Sequence, residues 1–305
     1  MDYSGQDRVV AAQTLANAEY YARSGPLEVR CSRGEAEIAE SQRLRYKIFY
    51  EEMAARPTPQ MQRERRDMDA YDALCDHLLV LDHSRPPGRQ VVGSYRLLRQ
   101  SVAEKHGGFY SAQEYELNPL MDDARQARLR KTGQLLELGR SCVDRDYRSN
   151  ATISLLWKGI AGYLHEHNIA YMFGCASMLG TDPEDDGLRV PLAYLYHEHL
   201  CPDNMMVRAV PERFVAMNRL APGEYDTREA RRLLPPLIKG YLRLGCFIGD
   251  GAVVDYQFGT TDVFILLPVE RVTKRYSLRF GTPGAVNDAD TDIAADADAA
   301  ARAGK

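Results

Sequence analysis

No apolar run in this chain approaches the roughly 18 residues that a membrane-spanning helix needs. The first residues, MDYSGQDRVV, hold no apolar core of the secretory kind. Neither a membrane span nor an export signal is expected, and the cytoplasm is the expected compartment. Charge of one sign is also missing. The 39 Lys and Arg stand against 43 Asp and Glu, a net of −4. The tail from Asn287 to Lys305 carries most of that excess, with five Asp against Arg302 and Lys305. The domain-wide basic surplus of a nucleic-acid-binding protein is absent, so no nucleic-acid partner is expected. The six cysteines (Cys31, Cys75, Cys142, Cys175, Cys201, Cys246) include no CxxC pair and read as reduced thiols. His165/His167 and His197/His199 are i, i+2 pairs, which do not share a helix face. No further ligand follows at zinc-like spacing, and no metal is expected. GxSxG, a GxGxxG after a strand, and the Walker A pattern are all lacking, which leaves hydrolase, nicotinamide and nucleotide-hydrolysis chemistry without a motif.

What is present is a 45% apolar chain of 305 residues, enough for one α/β domain with ragged ends. Residues 1–28 are polar and end in Ser24-Gly25-Pro26, so a flexible N-terminal arm is expected there. The domain is expected over 29–281, and the Ala/Asp-rich stretch 282–305 is expected to be a disordered tail. Glu35 to Met53 has Ile38, Leu44, Ile48, Phe49 and Met53 on or near one helical face. His77 to His83, Val91 to Leu98, Gln134 to Val143, Ile169 to Ala176 and Val263 to Leu267 read as strands, and Thr152 to His167 as a strong helix. In Val91 to Leu98 the alternation places Val91, Gly93, Tyr95 and Leu97 inward and Val92, Ser94 and Arg96 outward. The class is α/β, a central mixed sheet flanked by helices.

The chemistry is carried by charges set into apolar strands. Leu135-Leu136-Glu137-Leu138-Gly139-Arg140 places Glu137 and Arg140 in a hydrophobic run, and Arg96 sits likewise in its strand. Burying such a charge alone costs several kcal/mol, so each must be paired or face a cleft. Arg45 lies one helical turn from Phe49, and Asp69, Asp72 and Asp76 punctuate the segment before the next strand. From these residues alone, a structural ion-pair network and a substrate site are equally good readings.

The order Arg45-Tyr-Lys-Ile-Phe49, Asp69-Ala-Tyr71-Asp72, Val91-Val-Gly93-Ser-Tyr-Arg96 and Glu137-Leu-Gly-Arg140 resembles the charged motif set of acyl-homoserine-lactone synthases. Over 44–82, 171–183 and 235–270 the chain is more similar to the ornithine Nα-acyltransferases of ornithine-lipid synthesis, sometimes labelled hemolysin-like. That resemblance, spanning about 28–280, implies a GNAT-like acyltransferase fold. It implies transfer of a (3-hydroxy)acyl group from acyl carrier protein to the α-amino group of L-ornithine, giving lyso-ornithine lipid. No bound cofactor is implied. The co-substrate is a phosphopantetheine thioester, the partners are acyl carrier protein and L-ornithine, and peripheral contact with the inner membrane is a further expectation. Many acyl-CoA enzymes of the GNAT kind read [RQ]xxGx[GA] where Arg148-Ser-Asn-Ala151-Thr-Ile153 stands here, so both glycine positions are filled. That loop suits the single phosphodiester of a carrier arm better than the crowded phosphates of coenzyme A.

The resemblance also implies roles. Glu137 would deprotonate the amine, alone or through a water, and Arg140 would pair with Glu137 or with Asp69 and Asp72, or clamp the acceptor carboxylate. Arg45, Asp69, Asp72 and Arg96 would build the acceptor pocket, and Phe49, with Trp157 and the Ile153/Leu156 region, would line the groove for the acyl chain. Backbone N–H groups of Ser141, Cys142 and Val143 would face the oxyanion, with Arg145, Arg148 and Trp157 on the donor side. Arg125, Arg128, Arg130 and Lys131 form the densest basic patch for carrier docking. Transfer to another amino acid, a homoserine-lactone-type synthase, and a non-catalytic protein that binds acyl carrier protein or membranes remain the alternatives.

Overall fold

A computed structural model of the chain describes residues 20–121 and 133–272. The basic patch 125–131, most of the expected arm and the expected tail lie outside the described residues. The described chain divides into two compact units, one formed by 20–52, 58–97 and 140–168, the other by 53–57, 98–121, 133–139 and 169–272.

In the first unit, β1 (Ala22–Ser24), β2 (Leu27–Cys31), β3 (Asp76–Asp82) and β4 (Val91–Arg99, its last two residues lying in the other unit) pair antiparallel in that order. The turn at Ser24-Gly25-Pro26 joins β1 to β2, so ordered sheet begins at Ala22, inside the stretch expected as an arm. Helix α1 (Glu35–Tyr46) runs into a π-helical turn, Lys47–Glu52. The wider turn rotates the end of the expected helical face, and Met53 finishes 42% exposed rather than in the core. A short helix α2 (Pro59–Glu64) follows, with Thr58 as its N-cap. Helix α3 (Asn150–Glu166) packs on β1, β2 and β3. Its Gly159 is required by that packing, because a Cβ there would stand 2.5 Å from Val29 Cγ2. Strand β4 departs from the expected alternation. Ser94 (0% exposed) and Arg96 (3%) are as buried as Val92 and Leu97, since both faces of this inner strand are covered.

In the second unit, β5 (Tyr115–Glu116) pairs antiparallel with β8 (Arg208–Ala209), which runs parallel to β9 (Phe247–Asp255). Strand β10 (Thr260–Pro268) pairs antiparallel with β9 on one side and with β7 (Ile169–Leu179), from Tyr171 to Leu179, on the other. The first residues of β6 (Gln134–Val143) pair parallel with β7, from Gln134 to Glu137. Gly174 on β7 admits close backbone approach there, as its Cβ would lie 2.3 Å from the Leu138 carbonyl oxygen. Helices α4 (Asp186–His199), α5 (Thr227–Leu233) and α6 (Pro236–Leu244) complete the unit. His197 and His199 hydrogen-bond to the Leu220 carbonyl and the Tyr194 hydroxyl.

Every position of β10 is buried, including Asp262. Burial lifts this carboxyl from its ordinary 3.8 to about 6; hydrogen bonds from Ser177 and Thr260 work against the rise and the nearby Glu114 adds to it. The folded state therefore holds a proton between pH 4 and 6 that the unfolded chain has released, so stability falls as pH rises through that window. Asp262→Asn should abolish this slope and raise stability at pH 7 by up to about 3 kcal/mol, leaving the two proteins alike below pH 3.5. Urea melts across pH 3.5–7.5 measure both.

Candidate active site

The first unit gathers six charged side chains around one buried point. Arg45, at the end of α1, is 0% exposed. Its Nε lies 2.8 Å from Asp67 Oδ2, and its Nη2 donates to Asp72 Oδ1 at 2.8 Å. The π turn lets Tyr50, five residues on, reach the same aspartate, and its hydroxyl donates to Asp67 Oδ1 at 2.9 Å. Asp72 also accepts from Gln42 Nε2 at 3.0 Å and from Arg96 Nη1 at 3.3 Å. It belongs to a capping box on the 3-10 turn Ala70–Ala73. Asp69 accepts from Tyr71 N at 2.8 Å, and Asp72 accepts from Asp69 N at 3.1 Å. Arg96 Nη1 donates to Asp69 Oδ1 at 2.7 Å. Opposite Arg96 on β3, His77 donates through Nε2 to the Asp72 carbonyl at 2.9 Å.

Three arginines thus meet three aspartates, and the electrostatics follow from that pairing. Burial alone would push the Asp72 carboxyl up, but Arg45 and Arg96 outweigh it and hold the group below its ordinary value. Burial and the neighbouring Arg140 work against the charge of Arg96, yet Asp69 leaves its guanidinium above the usual value. Burial pushes His77 down and keeps it neutral near pH 7. The Tyr50 phenol is raised by burial and by Asp67.

The network has a sealed end and a more open one. Arg45 and Asp67 side chains are 0% and 1% exposed, whereas Arg140 and Asp69 are 15% and 23%. Arg140 takes φ 49°, a left-handed conformation rare for a side chain within a strand. It stands 3.4 Å from Asp67 Oδ2 through Nε and 3.4 Å from Asp69 Oδ2 through Nη2. These contacts are longer than those of Arg45 and Arg96, so an incoming carboxylate would exchange one charge-assisted bond for another at small cost.

The sequence-derived residues Arg45, Asp69, Asp72, Arg96 and Arg140 are therefore brought together. Of the partners expected for Arg140, Asp69 stands beside it, together with Asp67, which was not expected. Phe49 is buried in the π turn beside them. Glu137, in the second unit, sits in a separate cradle. Its carboxylate accepts from Tyr110 N at 2.8 Å, from Ser111 N at 2.7 Å and from the Ser111 hydroxyl. Ser111 Oγ in turn lies 3.6 Å from Cys175 Sγ. Of the expected donor-side residues, Ser141, Cys142 and Val143 end β6. Arg145 and Arg148 are exposed, and Arg148 pairs with Glu52 at 2.7 Å. Trp157 is half-buried on α3, whose N-terminus at Asn150 is capped by Ser149. Burial pushes the Cys142 thiol up to about 12, so it holds no thiolate near neutral pH to act as a nucleophile. Asp67 was not singled out from the sequence, although it touches Arg45, Tyr50 and Arg140. Its only signal is its place two residues before Asp69, at the end of a charged run that reads as solvated.

Residues 44–158 match the family described as Acetyltransferase (GNAT) domain. Among solved structures, the chain is similar to the N-acyl amino acid synthase FeeM from uncultured soil microbes. That likeness has 10% identity and a TM-score of 0.42, and covers 81% of this chain and 93% of that one. The AHL synthase LasI aligns with 12% identity and a TM-score of 0.43, over 86% and 98%. In sequence the chain is 47% identical over 261 residues to the L-ornithine N(alpha)-acyltransferase of Brucella abortus (strain 2308), covering 85% of this chain and 90% of that enzyme. It is 46% identical to the enzyme of the same name from Rhizobium meliloti (strain 1021), over 85% and 86%. With such identity sustained across most of its length, the chain belongs to the L-ornithine N(alpha)-acyltransferase family and is an acyltransferase.

Proposed function

We propose that this acyltransferase moves a (3-hydroxy)acyl group from an acyl-carrier-protein thioester to the α-amino group of L-ornithine, releasing the carrier thiol and a lyso-ornithine lipid. The observation that carries the acceptor is the identity with enzymes named for it. The half-buried end of the network supports it chemically. Ornithine bears a carboxylate and ammonium groups, and Arg140 beside Asp69 offers a partner of each sign within one small space. Arg45, Asp67 and Asp72 are the buried frame that holds those two in place, while Arg96 ties Asp69 to the frame. The donor assignment rests on the glycine-free stretch Arg148–Ile153, which leads into the first turn of α3. A helix N-terminus there offers a partial positive charge to one phosphodiester. Contact with the inner face of a membrane, where the amphiphilic product would be released, belongs to the same proposal.

Aminolysis takes two protons from the α-ammonium: the first leaves to free the attacking lone pair and passes through the base to solvent, and the second leaves nitrogen as the amide C–N bond is completed and protonates the expelled thiolate. Glu137 is proposed as the base, with the Ser111 hydroxyl it holds as the relay. Ser111 accepts the amine's proton as it passes its own to the carboxylate. Backbone N–H groups of Ser141, Cys142 and Val143 are proposed to face the oxyanion, and Trp157 to flank the donor.

Three outcomes are expected. With 3-hydroxyacyl carrier protein and a panel of amino acids, product masses should show acyl-ornithine as the dominant amide, and the matching acyl-CoA should serve at least tenfold less well. A dominant product from another amino acid or a lactone would reject the acceptor. Asp67→Asn removes one of the two carboxylates that meet the buried Arg45, leaving Asp72 alone, and should lower unfolding stability by about 3 kcal/mol. Asp69→Asn should melt close to wild type yet raise the KM for ornithine about tenfold. Equal thermal shifts for the two would mean the outer end is structural as well. Glu137→Gln should reduce kcat by at least a hundredfold with the melting temperature close to wild type. Loss of melting temperature with normal turnover per folded molecule would instead make Glu137 a brace for residues 110–111.

A further inference from the structure

Helices α5 and α6 of the second unit, with the residues that join them, read TREARRLLPPLIKGYLRL over 227–244. Arg228, Arg231, Arg232, Lys239 and Arg243 fall in these 18 residues against Glu229 alone, a surplus of four positive charges in a chain whose net charge is −4. Pro235 and Pro236 end the first helix and start the second. Ala230, Leu234, Ile238 and Tyr241 are buried, whereas Arg228, Arg231, Arg232 and Arg243 are exposed and Lys239 is half-buried. Leu237 is 40% exposed and lies on a different face of α6 from Lys239.

The cations crowd one another. Arg232 is paired with Glu229, and Arg231 Nε donates to the Tyr194 hydroxyl at 2.8 Å. Lys239 Nζ donates to the Arg232 carbonyl at 3.0 Å. The Lys239 ammonium is held below the usual lysine value by partial burial and then by the charges of Arg243 and Arg232. Such mutual repulsion is relieved when an anionic surface supplies counter-charge.

We infer that the basic face of α5 and α6, around Lys239 and Arg243, docks the protein on an anionic lipid surface. A layer of lipid headgroups fits a field of one sign better than a specific protein partner does. It makes no demand for an acidic residue to set register, and it accepts cations spread over two short helices. The inference deepens the proposed function, from which it takes the amphiphilic product that has to reach a lipid phase.

Flotation of the full chain with vesicles tests it without turnover, so its outcome stays separate from the identity of the acceptor. The protein should float with vesicles of phosphatidylglycerol and phosphatidylcholine, remain unbound with phosphatidylcholine alone, and be released by 0.5 M salt, an expectation of roughly Debye-length screening. Lys239→Glu with Arg243→Glu should lower the bound fraction about tenfold with an unchanged melting temperature and an unchanged KM for acyl carrier protein. If that pair unfolds the protein, Lys239→Gln with Arg243→Gln should lower binding about threefold. Absence of binding to anionic vesicles, or binding unchanged in a folded variant, would overturn the inference. So would a raised KM for acyl carrier protein with vesicle binding intact, which would make the face a carrier surface.

Discussion

A guanidinium that water does not reach has to be surrounded by acceptors, and Arg45 imposes that demand on the whole first unit. Its charge is met by Asp67 and Asp72, which come from a segment of the chain more than twenty residues further on. Asp72 can serve because the 3-10 turn it caps fixes its direction, and that turn is fixed in part by Asp72 itself. Asp67 can serve because Tyr50 takes its other oxygen, which requires the π turn after α1. Helix, loop and strand are thus locked by a handful of charged contacts. Removing one partner would strand a charge where its desolvation is not repaid.

Much of this was legible in the sequence. An arginine in Val91 to Leu98, or a glutamate and an arginine in Leu135 to Val143, conflicts with an apolar strand unless something pairs with it, and pairing is what the fold supplies. The resemblance then put Arg45, Asp69 and Asp72 in the same place. Asp67 was hidden because Arg63, Glu64, Arg65 and Arg66 before it make it look like one more solvated charge. The two-sided burial of β4 was hidden for a different reason. Period-two alternation assigns polar residues to solvent, and Ser94 and Arg96 obey the pattern while the covering helix and network overturn its meaning. The π turn has no composition of its own, and its effect on Met53 could be seen only once the backbone was placed.

The same network separates two duties that a single ion pair would confuse. Its inner end is dry and closely bonded, and a substrate could not enter without breaking the contacts that hold the unit together. Its outer end is looser. Arg140 keeps a left-handed backbone in the middle of β6 and stands at 3.4 Å from each of two aspartates. A residue in that conformation costs on the order of 1–3 kcal/mol and persists only where its surroundings dictate it. Here the surroundings are Asp67 and Asp69, so energy from the buried frame is spent on aiming one guanidinium.

That arrangement bears on which residues can discriminate an acceptor. A carboxylate arriving at Arg140 meets a donor whose position is set by Asp67 and whose competitor is Asp69. Under the proposed function, binding would displace Asp69 from the arginine and leave it, still fixed by Arg96 and the Tyr71 amide, as an acceptor for an ammonium group of the same molecule. A neutral amine or a bare carboxylic acid would satisfy one of these groups and leave the other paired less well than before. On that proposal the pair would favour zwitterions as a class. The length of the acceptor's side chain is not encoded in this pair and has to be read by residues further from the α-carbon.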